Sequence, residues 1–128
     1  MGYTKEELQK ILTSKHMSSS ELVTLLEARE KGEVEFNLVD IREVFEYSSS
    51  SIDGTDLIVP TSVIQKHIDK LEAIKDEPII LYCRTGNRTG QIMHALDSMG
   101  FPKVVHLSQG IIAYGGKTSH EAQLPNEL

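Results

Sequence analysis

The feature that most constrains this chain is the run Ile79-Ile80-Leu81-Tyr82, which follows Pro78 and ends at the only cysteine, Cys83. Four consecutive apolar or aromatic residues without alternation describe a strand buried on both faces, the signature of a parallel sheet. Beyond Cys83 the chain turns polar, Arg84-Thr85-Gly86-Asn87-Arg88, and from Thr89 to Met99 the spacing predicts a helix with Ile92, Ala95, Leu96 and Met99 on one face. Cys83 therefore opens a strand-to-helix loop. In an open α/β sheet such loops lie at the carboxyl ends of the strands, where ligands bind, and the next helix directs unpaired amides at them.

A helix N-terminus favours an anion by roughly 0.3–2 kcal/mol, or about one unit of pKa, and nearby cations act in the same direction. Arg84 and Arg88 supply such cations, the setting of a reactive thiolate. A lone cysteine in an apolar setting is an inert core residue, but Arg-Thr-Gly-Asn-Arg is not a core sequence. Gly86 lets the loop curl without a side chain over the amides, or is an ordinary turn glycine. Asn87 suits a bond to its own loop backbone, as turn asparagines do.

The stretch Cys83 to Thr89 resembles the active-site loop of single-domain rhodaneses, sulfurtransferases that carry sulfur as a cysteine persulfide. Leu38-Val39-Asp40-Ile41-Arg42-Glu43 with Glu46-Tyr47 is similar to that family's acidic strand end and the turn after it. Gly100-Phe101, Val104-Val105-His106-Leu107 and Gly110-Ile111-Ile112-Ala113-Tyr114 are similar to its closing strand and helix. The likeness covers about residues 15–117. It implies an α/β fold, a rhodanese-like three-layer sandwich whose central, mostly parallel sheet is flanked by helices. The whole chain, 1–128, would be one such domain, with an N-terminal helical arm over 1–14 and a C-terminal tail over 118–128.

The implied function is transfer of a sulfane sulfur from a donor such as thiosulfate to cyanide, a small thiol or a protein cysteine, through a persulfide on Cys83. The amides of residues 84 to 88 would hold the persulfide, Arg84 would face donor anions and Arg88 would lean on the loop or the cavity wall. Both arginines also fit a solvated surface. A non-catalytic persulfide carrier or redox sensor is the alternative use of the same thiol. Rhodanese-fold phosphatases and arsenate reductases are a further one, but their loop places arginine six positions after the cysteine. Here that position is Thr89, and Arg88 lies at five. The shorter ring suits one sulfur better than a phosphoryl group.

Three departures from the family pattern touch the rim of the site and its packing, not the cysteine loop. Ser51 stands where the family's turn has histidine, and Gln109 and Tyr114 replace the usual Gly and Trp of the closing motif.

Further upstream, Thr4 with Glu7 and Ser18 with Glu21 are capping-box pairs for two helices. The first carries Leu8, Ile11 and Leu12, which suit core packing, an arm or a partner surface. The second buries Leu22, Leu25 and Leu26 and stops at Gly32. Between them Lys15-His16-Met17 fits a short edge strand. Phe36–Ile41 is a strand whose end brings Asp40 and Arg42 to the edge of the sheet that holds Cys83. There they form either an anchoring ion pair or part of the site.

The serines at 48–51 suit a polar loop. Leu57-Ile58-Val59 is a short strand closed by Pro60, and Ser62 with Gln65 caps a helix presenting Val63, Ile64, His67, Ile68, Leu71 and Ile74. Residues 117–128 suit a partly disordered tail.

Composition closes off other classes. The net charge of −6, from 13 basic and 19 acidic residues, and the absence of Trp argue against nucleic acid. No run is long and apolar enough for a membrane span or a secretory leader, which places the expected location in the cytoplasm. None of the five histidines pairs at metal-ligand spacing, so no metal and no cofactor is assigned. His94 and His106 fit structural roles better than catalytic ones.

Overall fold

The computed structural model describes residues 3–128. Five strands form one sheet in the order β1 (His16–Met17), β6 (Val104–Leu107), β5 (Ile79–Tyr82), β2 (Asn37–Asp40), β4 (Leu57–Ile58). All four pairings are parallel. Helices α1 (Lys5–Leu12), α2 (Ser19–Glu30), α3 (Val44–Ser49), α4 (Ile68–Glu72) and α5 (Asn87–Ser98) complete the layers.

Strand alternation divides the core in two. Leu38, Ile80, Tyr82, Val105 and Leu107 pack with Leu8, Leu12, Leu22 and Leu25 of α1 and α2. Val39, Ile41, Ile79, Leu81 and Cys83 face the other way, against Leu71 of α4 and Met93 and Leu96 of α5. The expected three-layer α/β architecture is the one observed. Both N-terminal capping boxes form, at Thr4 and Ser18, and α1 packs into the core through Leu8 and Leu12.

Several local expectations change. The buried face of α5 is Thr89, Met93 and Leu96, while Ala95 and Met99 are exposed. The helix also begins at Asn87, so Asn87 and Arg88 belong to its first turn and the loop proper is shorter than expected. The segment after Pro60 is a 3-10 helix over Thr61–His67 that kinks at Val63 before α4 begins. Ser62 caps nothing there; its hydroxyl bonds the Glu43 carboxylate at 2.5 Å.

The serine stretch is not a loop. It closes α3 and enters β3 (Ser51–Ile52), where Ser51 is buried. Nor is the end of the chain loose. β7 (Thr118–Ser119) pairs antiparallel with β3. The Asn126 side chain exchanges both hydrogen bonds with Ile58, accepting from its N–H at 2.7 Å and donating to its carbonyl at 3.1 Å.

Candidate active site

The site is built where β5 and β2 end. Their register sets Asp40 beside Tyr82, so Asp40, Arg42 and Cys83 reach one edge of the sheet, as the parallel arrangement requires. Cys83 leaves β5 on the α5 side and is 1% exposed. Its Sγ accepts the Gly86 N–H at 3.1 Å and lies 3.7 Å from the Thr89 hydroxyl. Burial pushes the thiol up. The amides of Thr89, Gly86 and Thr85 and the Thr89 hydroxyl outweigh it, and the thiol ends below its ordinary range.

The loop holds this shape through contacts far away in sequence. Gly86 adopts φ +99, where a side chain would run into the Ser108 carbonyl. Gly110 adopts φ +70 with the Arg84 carbonyl in the place of its missing Cβ. The amides of Ile111 and Ile112 donate to the carbonyls of Cys83 (2.9 Å) and Arg84 (3.1 Å). With those carbonyls engaged outside, the loop amides are free to face the sulfur.

Asp40 and Arg42 form a buried pair with a closest contact of 2.7 Å. The Arg42 N–H also donates to the Asp40 carboxylate, at 2.9 Å, and its guanidinium reaches the carbonyls of Glu46 (3.2 Å) and Ser50 (2.7 Å). Burial works against the Arg42 charge, and the Asp40 carboxylate outweighs it, so the guanidinium is held above its ordinary value. The pair is thus an anchor for α3, and Arg42 in addition lines the cavity outside the loop.

That cavity is bounded by Arg42, Phe45, Ser49, Arg84, Ile111 and Ile112. Arg84 is exposed on its rim. Phe45 and Ile112 flank it at 72% and 63% exposure. Arg88 is not on the rim as a free cation. Both its terminal nitrogens bond the Glu46 carboxylate, at 2.9 and 3.0 Å, and this bond holds Glu46 below its ordinary value. Thr85 and Asn87 are exposed, and Gly86 is buried under the loop.

Residues given no role in the sequence analysis also touch the candidate site. Thr89 lies against the sulfur, and its hydroxyl is 2.6 Å from His106 Nδ1. Glu46 fixes Arg88, and Gly110 packs on the loop backbone. The signal for His106 was available in the alternation of β6, which sets it on the Val104 face, toward α5. Among the described residues no cluster of His, Cys, Asp and Glu is arranged to hold a metal ion, and no helix is long and apolar enough to cross a membrane.

A buried thiol cradled by main-chain amides, at the carboxyl edge of a parallel sheet, places the candidate site in an α/β protein of the three-layer class. The family model for the rhodanese-like domain matches residues 21–117, and the chain belongs to that family. It is 36% identical over 77 residues to the probable adenylyltransferase/sulfurtransferase MoeZ of Mycobacterium tuberculosis, covering 60% of this chain and 19% of that protein. It is 33% identical over 106 residues to the tRNA uridine(34) hydroxylase of Pseudarthrobacter chlorophenolicus, covering 78% and 35%. With the putative sulfur carrier protein YrkF of Bacillus subtilis it shares 28% identity over 82 residues, covering 64% and 43%. The chain therefore spans less than half the length of these relatives. Among solved structures, the rhodanese-like domain of the Alr3790 protein from Anabaena sp. superposes with a TM-score of 0.69 at 24% identity, covering 90% of this chain and 87% of that one.

Proposed function

We propose that the protein is a sulfurtransferase that moves a sulfane sulfur through a persulfide on Cys83. The observation that carries this reading is the placement of the thiol sulfur inside a ring of loop amides, at 3.1 Å from the Gly86 N–H. The Cys83 thiolate attacks the outer sulfur of a donor such as thiosulfate. The S–S bond of the donor breaks, sulfite leaves with the electron pair, and the new terminal sulfur takes the negative charge within reach of the amides of residues 84 to 88. Cyanide, a small thiol or a protein cysteine then attacks that outer sulfur, and Cys83 leaves as thiolate.

The exposed Arg84 guanidinium on the rim draws the anionic donor in. Asp40 and Arg42 support the site by fixing α3. A phosphatase reading is disfavoured because Arg88 turns to Glu46 instead of closing an anion ring around the sulfur. The 1% exposure of Cys83 favours one second reading, a carrier that keeps its persulfide until a partner reaches in. A reducing compartment such as the cytoplasm suits either use of the thiol.

Intact mass before and after thiosulfate, and then after cyanide, tests the proposal with Cys83→Ser alongside. One sulfur atom should load on the wild type, leave as thiocyanate, and never load on the variant. Loading without release to cyanide would favour the carrier. No loading at all, with hydrolysis of a chromogenic phosphate ester, would replace the reading by the phosphatase.

A further inference from the structure

Outside the cavity, a second line of polar atoms reaches the sulfur from behind. Cys83 Sγ lies 3.7 Å from Thr89 Oγ1, Thr89 Oγ1 lies 2.6 Å from His106 Nδ1, and His106 Nε2 lies 3.0 Å from His16 Nδ1. The rings of His106 and His16 meet edge to face with centroids 5.1 Å apart. His106 is 4% exposed and stands in a row of β6 whose other buried member on that face, Val104, is apolar. His16, on the edge strand β1, is exposed. None of the three residues lines the cavity by which a donor would enter.

Two arrangements place one proton in each link with the Thr89 hydroxyl donating along the line. In one, the Cys83 S–H donates to Thr89, the Thr89 hydroxyl to His106 Nδ1, and the His106 Nε2–H to His16. In the other every bond is reversed, and the Thr89 hydroxyl donates to a thiolate. Passing from the first to the second moves the thiol proton to Thr89, the Thr89 proton to His106 Nδ1, the His106 Nε2 proton to His16 Nδ1, and the outer proton of His16 to water. One proton has left the sulfur for solvent, and both rings are neutral at either end.

We propose that Thr89, His106 and His16 form a proton path from Cys83 to solvent at the β1 edge, with His106 as the positioning residue that turns the Thr89 hydroxyl toward the thiolate. The Thr89 hydroxyl also lies 3.1 Å from the Gly86 carbonyl, so it has three acceptors for one proton. The proton on His106 Nδ1 removes one of them and favours the sulfur. Burial, and then the neighbouring His16, hold His106 below its ordinary range, which keeps the ring neutral and able to accept. The charged groups of the surrounding elements are occupied with one another: Lys15 with Asp97 (3.2 Å), Arg88 with Glu46 (2.9 Å) and Arg42 with Asp40 (2.7 Å).

The inference rests on Cys83 being the sulfur-carrying thiol, and its test reads thiol ionisation without requiring sulfur transfer. The rate of Cys83 alkylation by iodoacetamide is followed against pH. Thr89→Val should move the midpoint up by about one unit, a tenfold loss of thiolate at low pH, and Thr89→Ser should restore it. His16→Leu, on the exposed edge, should move it in the same direction by about half a unit, or threefold. Imidazole nitrogen shifts of the folded protein give the second readout. His106 should carry its proton on Nδ1 in the wild type at a pH above the alkylation midpoint, and on Nε2 in Cys83→Ser, whose hydroxyl stays protonated. An alkylation profile of His16→Leu that superimposes on the wild type overturns the path, as does one His106 tautomer in both proteins. If the profiles and tautomers behave as stated while thiosulfate loads no sulfur, the path stands and the sulfur-transfer reading falls.

Discussion

A thiol held below its ordinary range by its own loop makes the stability of the protein depend on pH. Cys83 binds its proton more weakly in the folded chain than in the unfolded one, so the unfolded state carries more protons and stability rises with pH. The gain is complete above the unfolded thiol value of about 8.5 and is lost as pH falls through the folded value. The melting temperature of the wild type relative to Cys83→Ser should therefore climb from pH 6 to pH 9. A difference that stays flat would mean that the loop does not favour the thiolate.

Glycine contributes at the same scale. Gly32, Gly86 and Gly110 all have positive φ, but a Cβ on Gly32 meets nothing within 4 Å, whereas the other two press on backbone carbonyls. Gly32→Ala should cost about 1 kcal/mol for strain alone. Gly86→Ala and Gly110→Ala should cost about 2–4 kcal/mol and slow Cys83 alkylation at neutral pH, because the loop must move. Urea unfolding beside alkylation kinetics separates the two effects.

At the scale of elements, the short helix α3 depends on a buried charge. Removing Asp40 leaves the Arg42 guanidinium without its carboxylate at the end of β2. Asp40→Ala should cost about 3–5 kcal/mol in urea unfolding, and replacing Arg42 by Met in the same chain should recover part of that loss. The proposed sulfur loading should fall in the single variant, since α3 carries Phe45 and Glu46 to the site.

How far these elements could be read from sequence follows from their size and burial. β5 and β6 declare themselves because every residue is buried, and α1 and α2 because their capping boxes and apolar spacing agree. α3, β3 and β7 are six, two and two residues long. Their form is imposed by Arg42, Tyr82 and each other, and no local pattern records that. The buried face of α5 departs from its apolar spacing because a buried threonine looks polar; Thr89 is inside for its bonds to Gly86 and His106. Cys83 and its loop were legible as a unit. The partner of Arg88 was not, because Glu46 lies 42 residues upstream.

For the whole molecule, the last eleven residues are part of the fold. Ser119 pairs with Ser51, the Tyr47 hydroxyl bonds the Gln123 carbonyl at 3.4 Å, and Asn126 reaches Ile58. Truncation after Lys117 should cost about 2 kcal/mol, the net of several hydrogen bonds less the entropy of a freed chain. Calorimetry should show that as a melting point lowered by roughly 5–10 °C.

Asn126 has a further consequence. β4 is an outer strand of the sheet, and a side-chain amide bonded to both the N–H and the carbonyl of Ile58 imitates one residue of an additional strand. It leaves a second copy of the protein no vacant ladder position there. Edge-to-edge polymerisation is thus blocked by a single residue near the end of the chain. Asn126→Ala should keep the wild-type rate of Cys83 alkylation and lose solubility, with light scattering rising on concentration or gentle warming well before the protein melts.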